Sequence, residues 1–155
     1  MADFRMYRRR LPHVRVREGT YFVTWRLHRA QPELAPAERT LVANALRHFD
    51  GERYQLLAFV VMNDHVHVIL GPREPHRLED IVRSWKSYTA NRLQRTTDRY
   101  GTGRVWQDEY FDRALRDEKE FLEKIQYIVN NPWTRWPEIE DYPWVWALGE
   151  VAVPG

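Results

Sequence analysis

The run of residues 59–70 places the strongest constraint on the fold, because it is a long apolar and β-branched stretch that is broken once by a turn. Asn63 and Asp64 are turn formers, whereas the residues on either side of them favour strands. So short a link leaves the two halves to pair in antiparallel fashion. The sequence therefore predicts a β-hairpin with strands over residues 54–62 and 65–70.

Hydrophobic periodicity predicts the other elements around this hairpin. They are a first strand over 19–27, helices over 37–49 and 77–95, a fourth strand over 110–115, and a last helix that ends near residue 130. Asp117 is the predicted N-cap of that helix, Glu120 is placed to complete a capping box, and Pro132 is expected to stop the helix. This order predicts the α+β class and a ferredoxin-like sandwich, a mainly antiparallel sheet with helices packed on it.

Composition indicates one folded domain. The chain has 155 residues, of which 43% are hydrophobic and 30% charged, so we expect a single domain over 1–155. Residues 1–18 form a basic arm, and residues 133–155 a tail rich in tryptophan and proline. The absence of cysteine excludes disulfides and thiolate chemistry. The sequence shows neither an apolar leader nor a membrane-length apolar segment, which predicts a cytoplasmic protein without membrane contact.

Two histidines in the predicted third strand are candidate metal ligands. His65 and His67 are two residues apart, so in a strand both imidazoles project from the same face while Val66 projects from the other. Paired imidazoles on a rigid strand can bind a divalent metal ion. The alternative is that both are ordinary strand histidines.

A tyrosine in the predicted last helix lies outside its apolar stripe. The stripe comprises Phe121, Leu122, Ile125, Ile128 and Val129. Tyr127 falls on the polar side of the helix and shares that side with Asn131, four residues further on. A tyrosine needed for packing belongs in the stripe, so this position indicates a function. The alternative is a surface tyrosine beside an asparagine at the helix end.

Together these residues form a working set for the cleavage of a nucleic-acid strand. His65, His67 and the amide oxygen of Asn131 would bind Mg²⁺ or Mn²⁺, and the ion would polarise a phosphate. Tyr127 would attack phosphorus and form a covalent phosphotyrosine, with Lys124 as a candidate for assisting the phenol. Because one phosphoester replaces another, the step can be reversed, which is the chemistry of a transposase or nickase.

Arginine-rich segments are candidate DNA contacts. In the arm, arginines are interleaved with Phe4, Tyr7 and His13, a mixture suited to phosphate contact and base stacking. The helix over 77–95 carries further basic residues. The DNA-binding candidates are Arg5, Arg8, Arg9, Arg10, Arg15, Arg83, Lys86 and Arg92. A basic arm that is merely solvated is the alternative.

Four segments carry a resemblance to a known family. They are Arg10-Leu11-Pro12-His13 with Thr20–Leu27, then Val60–His67, then Val105-Trp106-Gln107 with Tyr110-Phe111-Asp112, and finally Tyr127–Pro132. In this order they resemble the REP-associated tyrosine transposases, relatives of the single-tyrosine HUH transposases of bacterial insertion sequences, where U is a bulky hydrophobe. The resemblance spans roughly residues 7–132.

The resemblance implies an HUH endonuclease fold and a transposase-like activity on single-stranded DNA that forms hairpins. It implies His65 and His67 as metal ligands, Asn131 as the third ligand and Tyr127 as the nucleophile. Family members act as monomers or as homodimers. Insertion-sequence relatives commonly have a glutamine in place of Asn131.

Two departures from the family pattern stand out. Asn63-Asp64 replaces the usual Pro-Asn, so Asp64 either tunes His65 and the metal or simply makes the turn. Trp133-Thr134-Arg135-Trp136 replaces a small aliphatic segment.

Three other functions are alternative interpretations of the sequence. A histidine-triad nucleotide hydrolase would need a third alternating histidine, but position 69 is isoleucine. A sheet that stacks RNA bases, as RNA-recognition domains do, has no use for the histidine pair together with Tyr127. A domesticated relative would bind DNA hairpins without cutting them.

Overall fold

The computed structural model describes residues 18–149, which form one five-stranded antiparallel sheet and three helices. The sheet order is β4-β1-β3-β2-β5. The strands are β1 (Tyr21–Arg26), β2 (Tyr54–Val61), β3 (His65–Pro72), β4 (Phe111–Ala114) and β5 (Val145–Ala147). The helices are α1 (Pro36–His48), α2 (Leu78–Thr96) and α3 (Glu118–Arg135), with a short 3₁₀ turn at Asp98–Tyr100. The predicted α+β class is confirmed.

The predicted hairpin forms the centre of the sheet. Val61 pairs with Val66 across the turn, and Met62 N–H donates to His65 O at 2.8 Å. A bulge between Leu56 and Ala58 shifts the register of β2 by one residue. The hairpin places β3 between β1 and β2, the most enclosed position in the sheet.

The sheet separates two apolar cores. Val66 and Val68 of β3 face the first core, where α1 and α2 pack. Ile69 faces the second core, which is covered by α3. Because side chains alternate along a strand, His65 and His67 lie on the same side as Ile69 and therefore under α3. The strand alternation thus directs the histidine pair toward the last helix.

The start of α3 agrees with the prediction, whereas its capping interactions and its end do not. Asp117 is the N-cap, since its Oδ1 accepts from Glu120 N–H at 2.8 Å. The capping box is not formed, however, because the Glu120 carboxylate instead accepts from Arg113 of β4. The helix also continues through Pro132 to Arg135, where Trp136 N–H donates to Pro132 O at 2.8 Å.

Packing explains why the proline does not end the helix. Pro132 is buried, and Trp133 and Trp136 pack against the second core beyond it. This burial outweighs the one helical hydrogen bond that the proline lacks.

The tail also contributes β5, a strand that the sequence did not predict, and it pairs with β2. Among the described residues, no helix combines the length and apolarity needed to cross a bilayer.

Candidate active site

The paired histidines are held by hydrogen bonds at one nitrogen each. His65 Nδ1 lies 2.6 Å from Asp64 Oδ1, and His67 Nδ1 lies 2.6 Å from Thr24 Oγ1 of β1. Thr24 reaches His67 because the two residues are direct partners in the β1–β3 ladder. These contacts leave the Nε2 atom of each ring to bind another group. Partners of this kind orient metal-binding histidines in proteins.

Burial keeps both imidazoles neutral at neutral pH. Burial lowers the pKa of His67 to about 3, and the charges of His65, Arg26 and Lys124 act in the same direction. Burial also lowers the pKa of His65, although the hydrogen bond to Asp64 partly opposes that shift. A neutral imidazole has a lone pair that can bind a metal ion.

Helix α3 brings Tyr127 and Asn131 to the histidines. The ring centroids of Tyr127 and His67 are 5.1 Å apart, and the Asn131 side chain is close enough to His65 to oppose slightly the lowering of the His65 pKa. The Tyr127 side chain stands over the sheet, and the residue is 49% exposed. A nucleophile in this position is accessible to a large substrate, while the helix holds its backbone in place.

Lys124 adds a positive charge one helical turn before Tyr127. Its Nζ lies 4.9 Å from the ring centroid of Phe22 and 5.9 Å from that of Tyr127. Phe22 in turn stacks on His67 at 5.4 Å. The ammonium group therefore lies near the predicted nucleophile without pairing with it.

The donor set fits a divalent metal ion. The rings of His65 and His67 are 4.7 Å apart, and His67 Nε2 is buried with no hydrogen-bond partner among residues 18–149. A buried ring nitrogen without a partner is costly unless a ligand binds it. Within the same residues no group of three His, Cys, Asp or Glu side chains could hold a metal. The amide of Asn131 remains the predicted third protein ligand.

The structure does not bring the other predicted DNA contacts to this site. Arg83, Lys86 and Arg92 lie on α2, across the sheet from α3. Lys86 Nζ donates to the carbonyls of Gln107 at 2.7 Å and Asp108 at 2.9 Å, so its charge is bound to a loop of the same chain. The predicted arm residues Arg5, Arg8, Arg9, Arg10 and Arg15 lie outside the described residues.

Three residues of the site were missed by the sequence prediction. Thr24 holds His67, Phe22 stacks on it, and Phe111 of β4 is 57% exposed with its ring 6.5 Å from Phe22. The alternation of β1 could have placed Phe22 and Thr24 on one face. The pairing of β1 with β3 and β4, which brings the three residues together, is visible only in the tertiary structure.

Comparison with known proteins shows the family of the chain. A model of the family "Transposase IS200 like" matches residues 23–131. A REP-associated tyrosine transposase of Escherichia coli (strain K12) is 23% identical over 148 residues, which cover 92% of this chain and 81% of that protein.

Two solved structures share the fold. One is that of a REP-associated tyrosine transposase bound to a REP hairpin, with a TM-score of 0.68 at 21% identity over 86% of this chain and 79% of that chain. The other is a protein from Deinococcus radiodurans described as a transposase, with a TM-score of 0.54 at 25% identity over 74% of this chain and 92% of that chain.

The family model covers most of the chain, which therefore belongs to the IS200-like transposase family. Within that family its relatives are the REP-associated tyrosine transposases, as the sequence motifs predicted.

Proposed function

We propose that this transposase is a metal-dependent endonuclease and strand transferase that acts on single-stranded, hairpin-forming repeat DNA through a 5′-phosphotyrosine. The observation that carries the proposal is the convergence of Tyr127 with the histidine pair. The Tyr127 and His67 rings are 5.1 Å apart, and His67 presents a buried nitrogen without a protein partner among the described residues.

Each group in the site has a distinct part in this reaction. The Tyr127 hydroxyl attacks the phosphorus, a Tyr–O–P bond forms, and the P–O3′ bond of the strand breaks. The phenol proton is released, and the departing 3′ oxygen takes up a proton. Lys124 lies 5.9 Å from the Tyr127 ring centroid, and its ammonium group is the charge that would assist the attack from beside the nucleophile. Attack by a 3′-hydroxyl on the phosphotyrosine reverses the step and joins strands.

His65, His67 and Asn131 would hold the cation, Mg²⁺ or Mn²⁺. When bound, it supplies positive charge to a phosphate whose negative charge increases during the reaction. Asp64 and Thr24 orient the two imidazoles through their Nδ1 atoms. The mixed nitrogen and oxygen donors suit Mn²⁺ better than Mg²⁺, because imidazole is a softer ligand than carboxylate or water.

A single chain contains every group of the proposed site. The two histidines come from β3, and Tyr127 and Asn131 come from α3 of the same chain. We infer that a monomer can cleave without a residue from a second subunit. A relative bound to a REP hairpin supports hairpin DNA as the partner.

Tyr127→Phe tests this proposal. We expect the variant to bind a fluorescent single-stranded hairpin oligonucleotide as the wild type does but to leave it uncut, because only the attacking hydroxyl is removed. Gel electrophoresis under denaturing conditions measures the cut strand and the covalent protein–DNA adduct in Mn²⁺, and anisotropy measures binding.

Tyr88→Phe is the matched control, because Tyr88 is 53% exposed on the opposite side of the sheet. It should cleave normally. Equal cleavage by Tyr127→Phe would remove Tyr127 from the mechanism. Wild-type protein that binds the hairpin but never cuts it would favour the domesticated binding protein.

A further inference from the structure

A polar pocket lies at the end of α3, beyond the proposed catalytic residues. It has a volume of about 450 Å³, which is within the range of small-ligand sites. Its lining includes Glu33, Arg39, Asn63, Trp136, Tyr142 and Trp144. We call it the arginine–tryptophan pocket. The departures from the family pattern at Asn63 and at the Trp133–Trp136 segment both contribute to it.

Asn63 presents a hydrogen-bond acceptor that the protein does not use. Its Nδ2 donates to the Glu33 carboxylate, whereas its Oδ1 is buried and has no partner in the part of the chain that the structure describes. The residue as a whole is only 3% exposed. A buried acceptor left without a donor is costly, so a donor from a ligand would satisfy it.

The walls of the pocket are aromatic rings and a guanidinium group. Arg39 lies 5.1 Å from the ring centroid of Trp144, 5.7 Å from that of Trp136 and 6.0 Å from that of Tyr142. Trp136 and Tyr142 stack on each other at 5.6 Å. Aromatic rings and arginine planes are the surfaces on which proteins stack unpaired nucleobases.

The pocket adjoins the proposed active site through two elements. Asn63 is two residues before His65 in the β2–β3 turn, and Arg135 at its rim is one helical turn after Asn131. Arg135 is exposed, and its guanidinium lies 5.7 Å from the Trp136 ring. A DNA single strand that crosses Tyr127 and follows α3 would thus reach the pocket within a short distance. Arg135 would then lie near the phosphate backbone of that DNA strand.

We propose that the arginine–tryptophan pocket binds one unstacked base of the DNA single strand beside the cleaved bond, and that the base is guanine. The proposal rests on the proposed function in that it takes single-stranded DNA as the substrate. Asn63 Oδ1 and the Glu33 carboxylate are both acceptors. Guanine presents two adjacent donors, N1–H and the 2-amino group, whereas adenine, cytosine and thymine each place an acceptor beside the donor.

Binding measurements in EDTA test this without any need for cleavage. The probes are fluorescein-labelled hairpin oligonucleotides with a single-stranded extension on the 5′ side, in which guanine, hypoxanthine or an abasic residue occupies each extension position in turn. At one position, we expect the wild type to bind guanine about tenfold more tightly than the abasic residue, since stacking contributes about 1–3 kcal/mol per base. Hypoxanthine lacks the 2-amino group and should bind with intermediate affinity.

Two variants separate stacking from hydrogen bonding. Trp136→Leu should lose the difference between guanine and the abasic residue, and Glu33→Gln, an exposed position, should lose the difference between guanine and hypoxanthine. Trp146→Leu is the matched control, because Trp146 belongs to the same tail but packs near Phe59 in the other core. It should keep the wild-type base preference. Thermal melting monitored by circular dichroism checks that all three variants are folded.

The possible outcomes test guanine binding in the pocket separately from the proposed cleavage reaction. Equal affinity for all three probes at every position would contradict guanine binding in the arginine–tryptophan pocket. An unchanged base preference in both folded pocket variants would contradict it as well. Wild-type protein that cleaves DNA but shows no base preference would contradict the proposed guanine binding and leave the proposed reaction standing. Wild-type protein that never cleaves but prefers guanine in a Trp136-dependent manner would overturn the proposed reaction and support the pocket.

Discussion

At the scale of single residues, the site depends on how each imidazole is oriented. Asp64 engages His65 and Thr24 engages His67, both through Nδ1, so the proposed ion would bind at the two Nε2 atoms. Thr24 is a neutral partner and Asp64 a charged one, which makes the two histidines unequal. A hydroxyl fixes the ring with little change in its basicity, whereas a carboxylate also raises it.

The role of Thr24 can be measured through Mn²⁺ binding. We expect His67→Ala to abolish stoichiometric Mn²⁺ binding, and Thr24→Val to weaken it roughly tenfold, because loss of such an orienting partner costs about 10–100-fold in metal affinity. Isothermal titration calorimetry measures both. His76→Ala, at an exposed histidine of the loop before α2, is the control. Unchanged Mn²⁺ titrations in His67→Ala would reject the metal site.

At the scale of elements, α3 is the part of the fold that assembles the site. Its apolar stripe includes Phe121, Ile125 and Ile128, which are buried against the sheet. That burial fixes the rotation of the helix about its axis, and with it the direction of Tyr127. A change in the helix start or in its packing on the sheet would therefore displace the proposed nucleophile, Tyr127, from the histidines.

Removal of the N-cap tests how firmly α3 is held. Asp117→Ala should lower the free energy of unfolding by about 1 kcal/mol, because Glu120 N–H loses its acceptor. Urea unfolding followed by circular dichroism measures the change. Asp117→Asn should retain most of the stability, since asparagine caps helices about as well as aspartate. Equal stability of all three proteins would mean that the cap contributes nothing.

At the scale of the whole molecule, a buried carboxylate joins distant parts of the chain. Glu38 of α1 accepts hydrogen bonds from Ala35 N–H at 2.7 Å and Tyr100 Oη at 2.7 Å, and it also pairs with Arg99. Burial by itself would raise the pKa of Glu38, but these hydrogen bonds outweigh it and hold the pKa below the ordinary value of 4.5. The 3₁₀ turn after α2 is thereby fastened to the start of α1.

This network predicts a pH-dependent stability. Glu38→Gln should lower the free energy of unfolding at pH 7 by about 2 kcal/mol, since hydrogen bonds to a charged group contribute about 1.5–3 kcal/mol. A depressed folded-state pKa stabilises the fold above pH 4.5, and that stabilisation is lost as the pH falls through the folded-state value. Urea unfolding should therefore show the two proteins converging below about pH 4. A difference that stays constant from pH 7 to pH 3 would contradict a role for the carboxylate charge.

The basic arm is a second property of the whole chain, and its role remains a prediction. Replacing Arg8, Arg9 and Arg10 with glutamine should weaken hairpin binding and flatten its dependence on salt, by about 0.7 in log–log slope for each single-strand phosphate that the arm no longer neutralises. Anisotropy titrations from low to high salt measure the slope. Arg77, Arg95 and Lys119 are exposed, and their replacement by glutamine is a control of equal charge. An equal slope in the arm variant and the wild type would exclude the arm from DNA binding.

The sequence alone predicted most of the elements and the catalytic candidates, because both depend on local periodicity. Alternation in β3 placed His65 and His67 on one face, and the helical period set Tyr127 and Asn131 apart from the apolar stripe. The order of the elements determined the α+β class. Each of these is decided by neighbours within a few residues along the chain.

The tertiary structure alone decided which residues meet. Four features depend on interactions between segments far apart in the chain. They are the pairing of Thr24 with His67, the stacking of Phe22 on His67, the continuation of α3 through Pro132 and the formation of β5. Local propensity stops a helix at a proline, but burial of the residues beyond it was stronger. The arginine–tryptophan pocket has the same origin, since α1, the β2–β3 turn and the tail each contribute only part of its wall.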